Sequence, residues 1–188
     1  MRLAVLLSGR GSNFTAIHNA IQNGELNAEI VCVITNRPDA AGIQCARKWG
    51  YDSHVIDHRE YASREAHEAE VLRVLEHARP DYIALAGYMR LLTPSFVERY
   101  RNRILNIHPS LLPKYPGLHP QQQALDDHAS ESGATVHFVN KDLDAGPIVL
   151  QQSIPVRPGD TAETLAARIL EVEHQLYPRA IERVLGGH

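Results

Sequence analysis

Short apolar runs rich in β-branched residues alternate with helix-patterned segments from Arg2 to Ile107, and no other feature of the chain restricts its fold so tightly. Parallel strands require long crossover connections, so this alternation predicts strand-helix-strand units and a mostly parallel, twisted sheet with helices on both faces. The segments Arg2 to Leu7, Glu29 to Ile34, Ser53 to Ile56, Tyr82 to Leu85 and Arg103 to Ile107 are mostly apolar and bounded by turn residues, as buried parallel strands are. Between them, Asn13 to Asn23 sets Phe14, Ile17 and Ile21 on one helical face and stops at Gly24, while Pro38 to Trp49 stops at Gly50. Ser63 to Arg79 repeats Ala66, Ala69, Leu72 and Leu75, a stripe expected to face the sheet. Thr93-Pro94 reads as a cap followed by the first residue of a short helix.

Past residue 107 the pattern changes. Two proline-rich turns lead to Ala134 to Asn140 and Ile148 to Val156, whose connection, Asp142 to Pro147, predicts an antiparallel, hairpin-like addition. The last helix is expected to open with Asp160 as N-cap and Glu163 as its capping-box partner, and to bury Leu165, Ile169, Val172 and Leu176. Pro178 should kink or split it, because proline removes a donor and clashes with the preceding turn.

A chain of 188 residues with 44% apolar content has material for one contiguous core, and no linker or repeat divides it. The net charge of −3 provides no basic field for a phosphate backbone, so nucleic acid is an unexpected partner. The apolar run at the N-terminus stops short of a membrane span or a signal-peptide core, which predicts a cytoplasmic protein with no membrane partner. Cys32 and Cys45 lack a second thiol at metal-ligand spacing and read as reduced and buried.

Two stretches carry chemistry. Gly9-Arg10-Gly11-Ser12-Asn13 joins the first strand to the first helix, where free amide donors and the helix dipole favour an anion. The dinucleotide fingerprint would need a glycine where Phe14 stands and an acidic residue where Thr35, Asn36 and Arg37 stand, and the lysine of a Walker A loop is missing. A monophosphate is the simplest ligand; a turn that only reverses the chain is the alternative. In the second stretch, Asn106 and His108 lie on one face of a strand end with Ile107 on the other. An amide and an imidazolium at the carboxyl edge of such a sheet can donate to an oxyanion like the one formed when an amine attacks a formyl carbon. Asp144, in the turn Asp142-Leu143-Asp144-Ala145-Gly146-Pro147, is the candidate carboxylate that favours the charged histidine. Each residue also has a structural reading, as a strand-end cap or a turn former. Of the 11 histidines, His18, His54, His58, His67, His77, His128, His174 and His188 read as solvated, and His119 and His137 lie near the motifs without an assigned role. No ligand spacing requires a metal.

Gly11-Ser12-Asn13, Ala86-Gly87-Tyr88-Met89-Arg90, the run Asn106 to Pro113 continuing through Lys114-Tyr115-Pro116-Gly117-Leu118-His119, and Asp144-Ala145-Gly146-Pro147 stand in this order along nearly the whole chain. In this the sequence resembles the folate-dependent formyltransferases that act on glycinamide ribonucleotide in purine biosynthesis. The resemblance implies one Rossmann-like α/β formyltransferase domain over residues 1–188, with a phosphate-binding half at about 1–100 and a catalytic, folate-binding half at about 101–188. It implies small-molecule substrates: 10-formyltetrahydrofolate as co-substrate and the amine of 5-phosphoribosylglycinamide as acceptor, with no metal. Asn106 and His108 would polarise the formyl group, His108 donating a proton and Asp144 keeping it charged. Gly11, Ser12 and Asn13 would hold the substrate phosphate and Glu173 its ribose hydroxyls.

The same resemblance sets the folate against Arg64, Met89, Arg90, Leu91 and Leu92, and against Asn106, Asn140, Lys141, Asp142, Leu143 and Asp144. By helical pattern alone, Glu173 and Arg64 read as solvated. Some members carry a lysine where this chain has Leu170, which leaves Arg168 as the candidate replacement. A homodimer is left open. The rival readings are a tRNA formyltransferase, which carries a further C-terminal domain and a basic surface; a formyltetrahydrofolate hydrolase, which uses water as acceptor; and a nucleotide-binding module without catalysis.

Overall fold

Every side chain from Leu3 to Leu7 is buried, which requires a strand covered on both faces, and β1 (Arg2–Leu7) accordingly lies inside the sheet. The computed structural model describes residues 1–187. The other strands are β2 (Glu29–Thr35), β3 (Ser53–Val55), β4 (Tyr82–Leu85), β5 (Ile104–His108), β6 (Glu131–Phe138) and β7 (Ile148–Pro155), in the spatial order β3-β2-β1-β4-β5-β6-β7. The pairs from β3 to β5 are parallel; β5–β6 and β6–β7 are antiparallel. The chain therefore forms the mostly parallel α/β sheet with an antiparallel C-terminal addition that the sequence predicts. Strand order reverses between β1 and β4, so connections leave their carboxyl ends in opposite directions and open a crevice there.

Side chains alternate across the pleat, and β1 feeds two cores. Leu3, Val5 and Leu7 join Phe14 and Ile17 of α1 (Ser12–Gln22), Ile43 of α2 (Ala41–Lys48), and Leu165, Ile169 and Leu176 of α6 (Ala162–Leu185). Ala4 and Leu6 join Val71, Val74 and Leu75 of α3 (Arg64–Ala78) and Phe96 of α4 (Pro94–Arg99). Gly24 and Gly50 terminate α1 and α2 in the left-handed region, with φ of 77° and 79°, as their positions predict.

Several expectations fail, each for a physical reason. The buried stripe of α3 is His67, Val71, Val74, Leu75 and Ala78, whereas Ala66 and Ala69 face solvent. Two alanines bury too little apolar area to decide a helix's rotation against two valines. His67 is not solvated: it is 1% exposed and its Nε2 lies 2.8 Å from the Ile56 carbonyl. The N-cap of α6 is Thr161, not Asp160, and Thr164 completes the capping box. Asp160 instead accepts from Arg157 N and pairs with Arg168, which holds the preceding turn. Pro178 does not split α6, which runs unbroken because residues on either side of the proline, Leu176, Tyr177, Ala180 and Ile181, are buried in the main core. Cys45 is only half-buried. The helix α5 (Pro120–Asp126) was not expected; Pro120 at its first position was the available signal. β6 begins at Glu131, earlier than the apolar pattern suggests. His188 lies outside the described residues.

Candidate active site

β1 runs directly into Gly9-Arg10-Gly11 at the crevice. Gly11 has φ 71°, and a Cβ there would lie 3.0 Å from Gly42 Cα, so only glycine lets the turn pass under α2. Gly11 caps α1 without a side-chain hydrogen bond, and its carbonyl accepts the first intrahelical bond from Thr15 N at 2.8 Å. The first amides of α1, those of Ser12 and Asn13, therefore point out of the helix end with its positive dipole. The side chain of Asn13 turns the other way and donates to Glu173 Oε1 at 3.2 Å, which joins positions 160 residues apart. Glu173 is 8% exposed, not solvated. Burial pushes its carboxyl up to about 7, opposed by the Asn13 hydrogen bond. Asn13 Oδ1 is buried without a partner, so the pair leaves an acceptor unsatisfied.

β5 ends with Asn106 and His108. The strand puts both on one face, and the antiparallel register sets His137 of β6 opposite Asn106. His108 is held at both ring nitrogens: Nε2 lies 2.8 Å from the Tyr115 carbonyl and Nδ1 lies 3.5 Å from Asp144 Oδ2. A carbonyl can only accept, so Nε2 carries a proton. Nδ1 faces a carboxylate at a distance longer than a charge-assisted hydrogen bond. Asp144 also accepts from Gly117 N at 2.9 Å, so the segment 109–118 wraps both members of the pair. Thr135 secures that segment by donating to the Ser110 carbonyl and accepting from Leu112 N.

Asp144 itself reaches the site because its loop doubles back under β6. At Gly146 a Cβ would stand 1.7 Å from the Phe138 carbonyl oxygen, a contact no side chain survives. His137 is 2% exposed, with Nδ1 3.0 Å from the Phe138 carbonyl and Nε2 3.5 Å from Asn106 Nδ2. Desolvation lowers its pKa, so the ring is neutral, protonated at Nδ1, with a free lone pair on Nε2. Its 3.8 Å approach to Asp144 Oδ1 is therefore a contact between a neutral ring and a carboxylate, not an ion pair.

A cavity of about 310 Å³ opens at the carboxyl ends of β4 and β5, and Asn106, His137 and Asp144 form its polar wall. Arg64, Arg90, Leu91 and Leu92 line one side, and Asn140, Lys141, Asp142 and Leu143 another. All of these except His137 were expected to meet the folate. Met89 is the expected residue that does not line the cavity; its side chain is 74% exposed. His108 is not a wall either, and touches the cavity through Asp144. Leu85, Tyr88, Val97 and Val139 complete the apolar lining, and sequence reasoning missed them together with His137. His137 is legible only from the β5–β6 register. Arg168 does not stand in for a lysine at 170: it pairs with Asp160 and donates to the Pro155 carbonyl. A wider concavity, about 1000 Å³, is an open groove between α1 and α6. It contains none of the Asn106, His108 and Asp144 cluster. No helix among the described residues is long and apolar enough to cross a membrane.

The family described as Formyl transferase matches residues 1–181. The trifunctional purine biosynthetic protein adenosine-3 of Drosophila melanogaster is 47% identical over 188 residues, which cover 99% of this chain and 14% of that protein. The chain thus spans about a seventh of the length of this relative. Phosphoribosylglycinamide formyltransferase of Escherichia coli is 44% identical over 187 residues, 100% of this chain and 88% of the relative. Among solved structures, glycinamide ribonucleotide transformylase 1 from Geobacillus kaustophilus matches with a TM-score of 0.94 at 43% identity over 98% of each chain.

Proposed function

The chain belongs to the formyl transferase family, and on that premise we propose that it moves the formyl group of 10-formyltetrahydrofolate onto the amine of 5-phosphoribosylglycinamide, in purine biosynthesis. The observation that carries this reading is the pairing of His108 and Asp144 beside Asn106 at the wall of a cavity lined by both polar and apolar side chains. In the proposed reaction the amine nitrogen attacks the formyl carbon, giving a tetrahedral centre with an oxyanion. Asn106 Nδ2 and the Nδ1 proton of His108 stabilise that oxygen. The lone pair on His137 Nε2, 3.5 Å from Asn106 Nδ2, supports this orientation of the amide. The carbon–N10 bond then breaks, the folate nitrogen takes a proton, the amine loses one, and formylglycinamide ribonucleotide and tetrahydrofolate leave.

Because Nε2 is committed to the Tyr115 carbonyl, Nδ1 is the ring nitrogen left to donate, and it lies 3.5 Å from Asp144 Oδ2. The 3.5 Å separation is longer than a charge-assisted hydrogen bond, so a donor at Nδ1 is not committed to the carboxylate. The cavity, with exposed apolar Met89, Leu91 and Leu143 nearby, suits the flat ring of the folate. The Gly11-Ser12-Asn13 turn suits a monophosphate, and the Asn13–Glu173 pair, with its unsatisfied acceptor, suits vicinal hydroxyls.

An assay with both substrates beside a water-only control tests the proposal. Formyl transfer that depends on the ribonucleotide amine is expected. Equal formyl loss with water alone would make the protein a hydrolase instead.

A further inference from the structure

The regular ladder between β1 and β4 ends where two ligand segments begin. Ala86 N donates to the Leu6 carbonyl at 2.8 Å and Ser8 N to the Gly87 carbonyl at 3.1 Å. Gly87 then turns with φ 73°, and the next amide facing β1, that of Met89, finds no strand carbonyl. It donates to the Ser8 hydroxyl at 2.8 Å. The same hydroxyl donates to Asn36 Oδ1 at the end of β2, and Asn36 Nδ2 lies 3.1 Å from His58 Nδ1 beyond β3. Ser8 is 5% exposed and Asn36 2%, so the bond between them is buried, while those to Met89 and His58 are part-buried. The line Met89, Ser8, Asn36, His58 thus crosses the carboxyl ends of the four parallel strands β4, β1, β2 and β3. Ser8 immediately precedes the Gly9–Asn13 turn, and Met89 immediately precedes the cavity walls Arg90, Leu91 and Leu92.

We propose that Ser8 is a positioning residue for the reaction: its buried hydroxyl straps the Gly87–Leu92 cavity wall to the end of β1, and so fixes that wall for the folate. A hydroxyl is the smallest side-chain group able to accept from one neighbour and donate to another, and here it does both. Alanine at this position removes the partner of the Met89 amide and leaves the buried Asn36 Oδ1 without its donor, and the wall loses its side-chain tie to β1. The strap concerns the folate side. The phosphate turn keeps its own supports, among them the Gly42 N bond to the Gly9 carbonyl at 3.0 Å. The inference rests on the proposed function only in naming the ligand.

The test is Ser8→Ala, read by amide hydrogen exchange across residues 88–92 and by calorimetric affinity for 10-formyltetrahydrofolate. Inorganic phosphate inhibition is read against the ribonucleotide. Exchange at Met89 is expected to quicken at least tenfold and folate affinity to fall about tenfold, with the phosphate inhibition constant within twofold. Ser8→Thr, which keeps the hydroxyl, should restore both. If Ser8→Ala does not fold, Ser8→Cys, near in shape but weak as an acceptor, must move both readouts in the same direction. Faster exchange with unchanged folate affinity would reduce Ser8 to a structural bond and overturn the proposal, as would unchanged exchange. Wild-type folate binding without formyl transfer would sink the functional reading and leave the strap standing. Wild-type transfer with unchanged affinity in Ser8→Ala would do the reverse.

Discussion

His108 is anchored through Nε2 on the Tyr115 carbonyl and faces Asp144 more loosely with Nδ1. In the proposed reaction the Tyr115 carbonyl holds the ring and leaves Nδ1, 3.5 Å from Asp144, as the donor. Asn106→Ala should therefore cost about 2.7 to 4 kcal/mol in barrier height, the usual loss for one preorganised oxyanion donor. His108→Ala and Asp144→Asn should likewise remove most turnover while phosphate inhibition at Gly11-Ser12-Asn13 stays within a few-fold. Near-normal kcat in any two of the three would refute the assignment. Glu173 gives a prediction with a sign. Between the ordinary carboxylate range, 4.5, and about 7, the folded protein holds a proton that the unfolded chain has released. Stability contributed by this group therefore falls as pH rises through that window and is flat above it. Glu173→Gln, which keeps an acceptor for Asn13, should leave stability unchanged at pH 4 and raise it by about 3 kcal/mol at pH 8. Urea titrations at the two pH values decide it, and equal effects at both would show that the acid is not displaced by burial.

At the scale of elements, the site depends on loops that can follow only one path. The loop carrying Asp144 passes under β6 at Gly146, where any Cβ strikes the Phe138 carbonyl. Gly146→Ala should move residues 140–147, remove the His108–Asp144 pairing and abolish turnover. The strands of the parallel half should remain folded, because β6 pairs with β5 along residues 135–138 independently of that loop. Retained activity in a folded Gly146→Ala protein would show that the loop has another path. The start of α1 makes a separate prediction. Its amides offer charge and hydrogen bonds without reading a base, so inorganic phosphate should compete with the ribonucleotide and not with the folate. Competition against the folate would make the turn structural.

For the whole molecule, acid sensitivity follows from what is buried. His67 and His137 are each almost fully buried, and desolvation lowers both pKa values from 6.5. The unfolded chain binds these protons first, so stability is lost as pH falls below about 6.5 and is restored above it. Glu173 acts in the opposite direction over part of the same range. The melting temperature of Glu173→Gln, where the opposing group is gone, should therefore drop on acidification from pH 7 to 5.5, and by more than that of the wild type. A Glu173→Gln melting temperature that rises over this interval would contradict the burial of the two histidines.

The sequence by itself determined the sheet, because strand alternation and glycine stops depend on near neighbours: β1, β4 and the caps at Gly24 and Gly50 lie where the residues indicate. It also displayed the chemistry of Asn106, His108 and Asp144, whose types and local turns are readable in place. Tertiary structure decided what distant partners cover. Glu173 looks like a solvated helix position until Asn13 packs on it, and His137 has no visible role until register sets it beside Asn106. The rotation of α3 and the integrity of α6 across Pro178 were likewise settled by burial summed over whole faces, which exceeds what one alanine stripe or one missing hydrogen bond can direct.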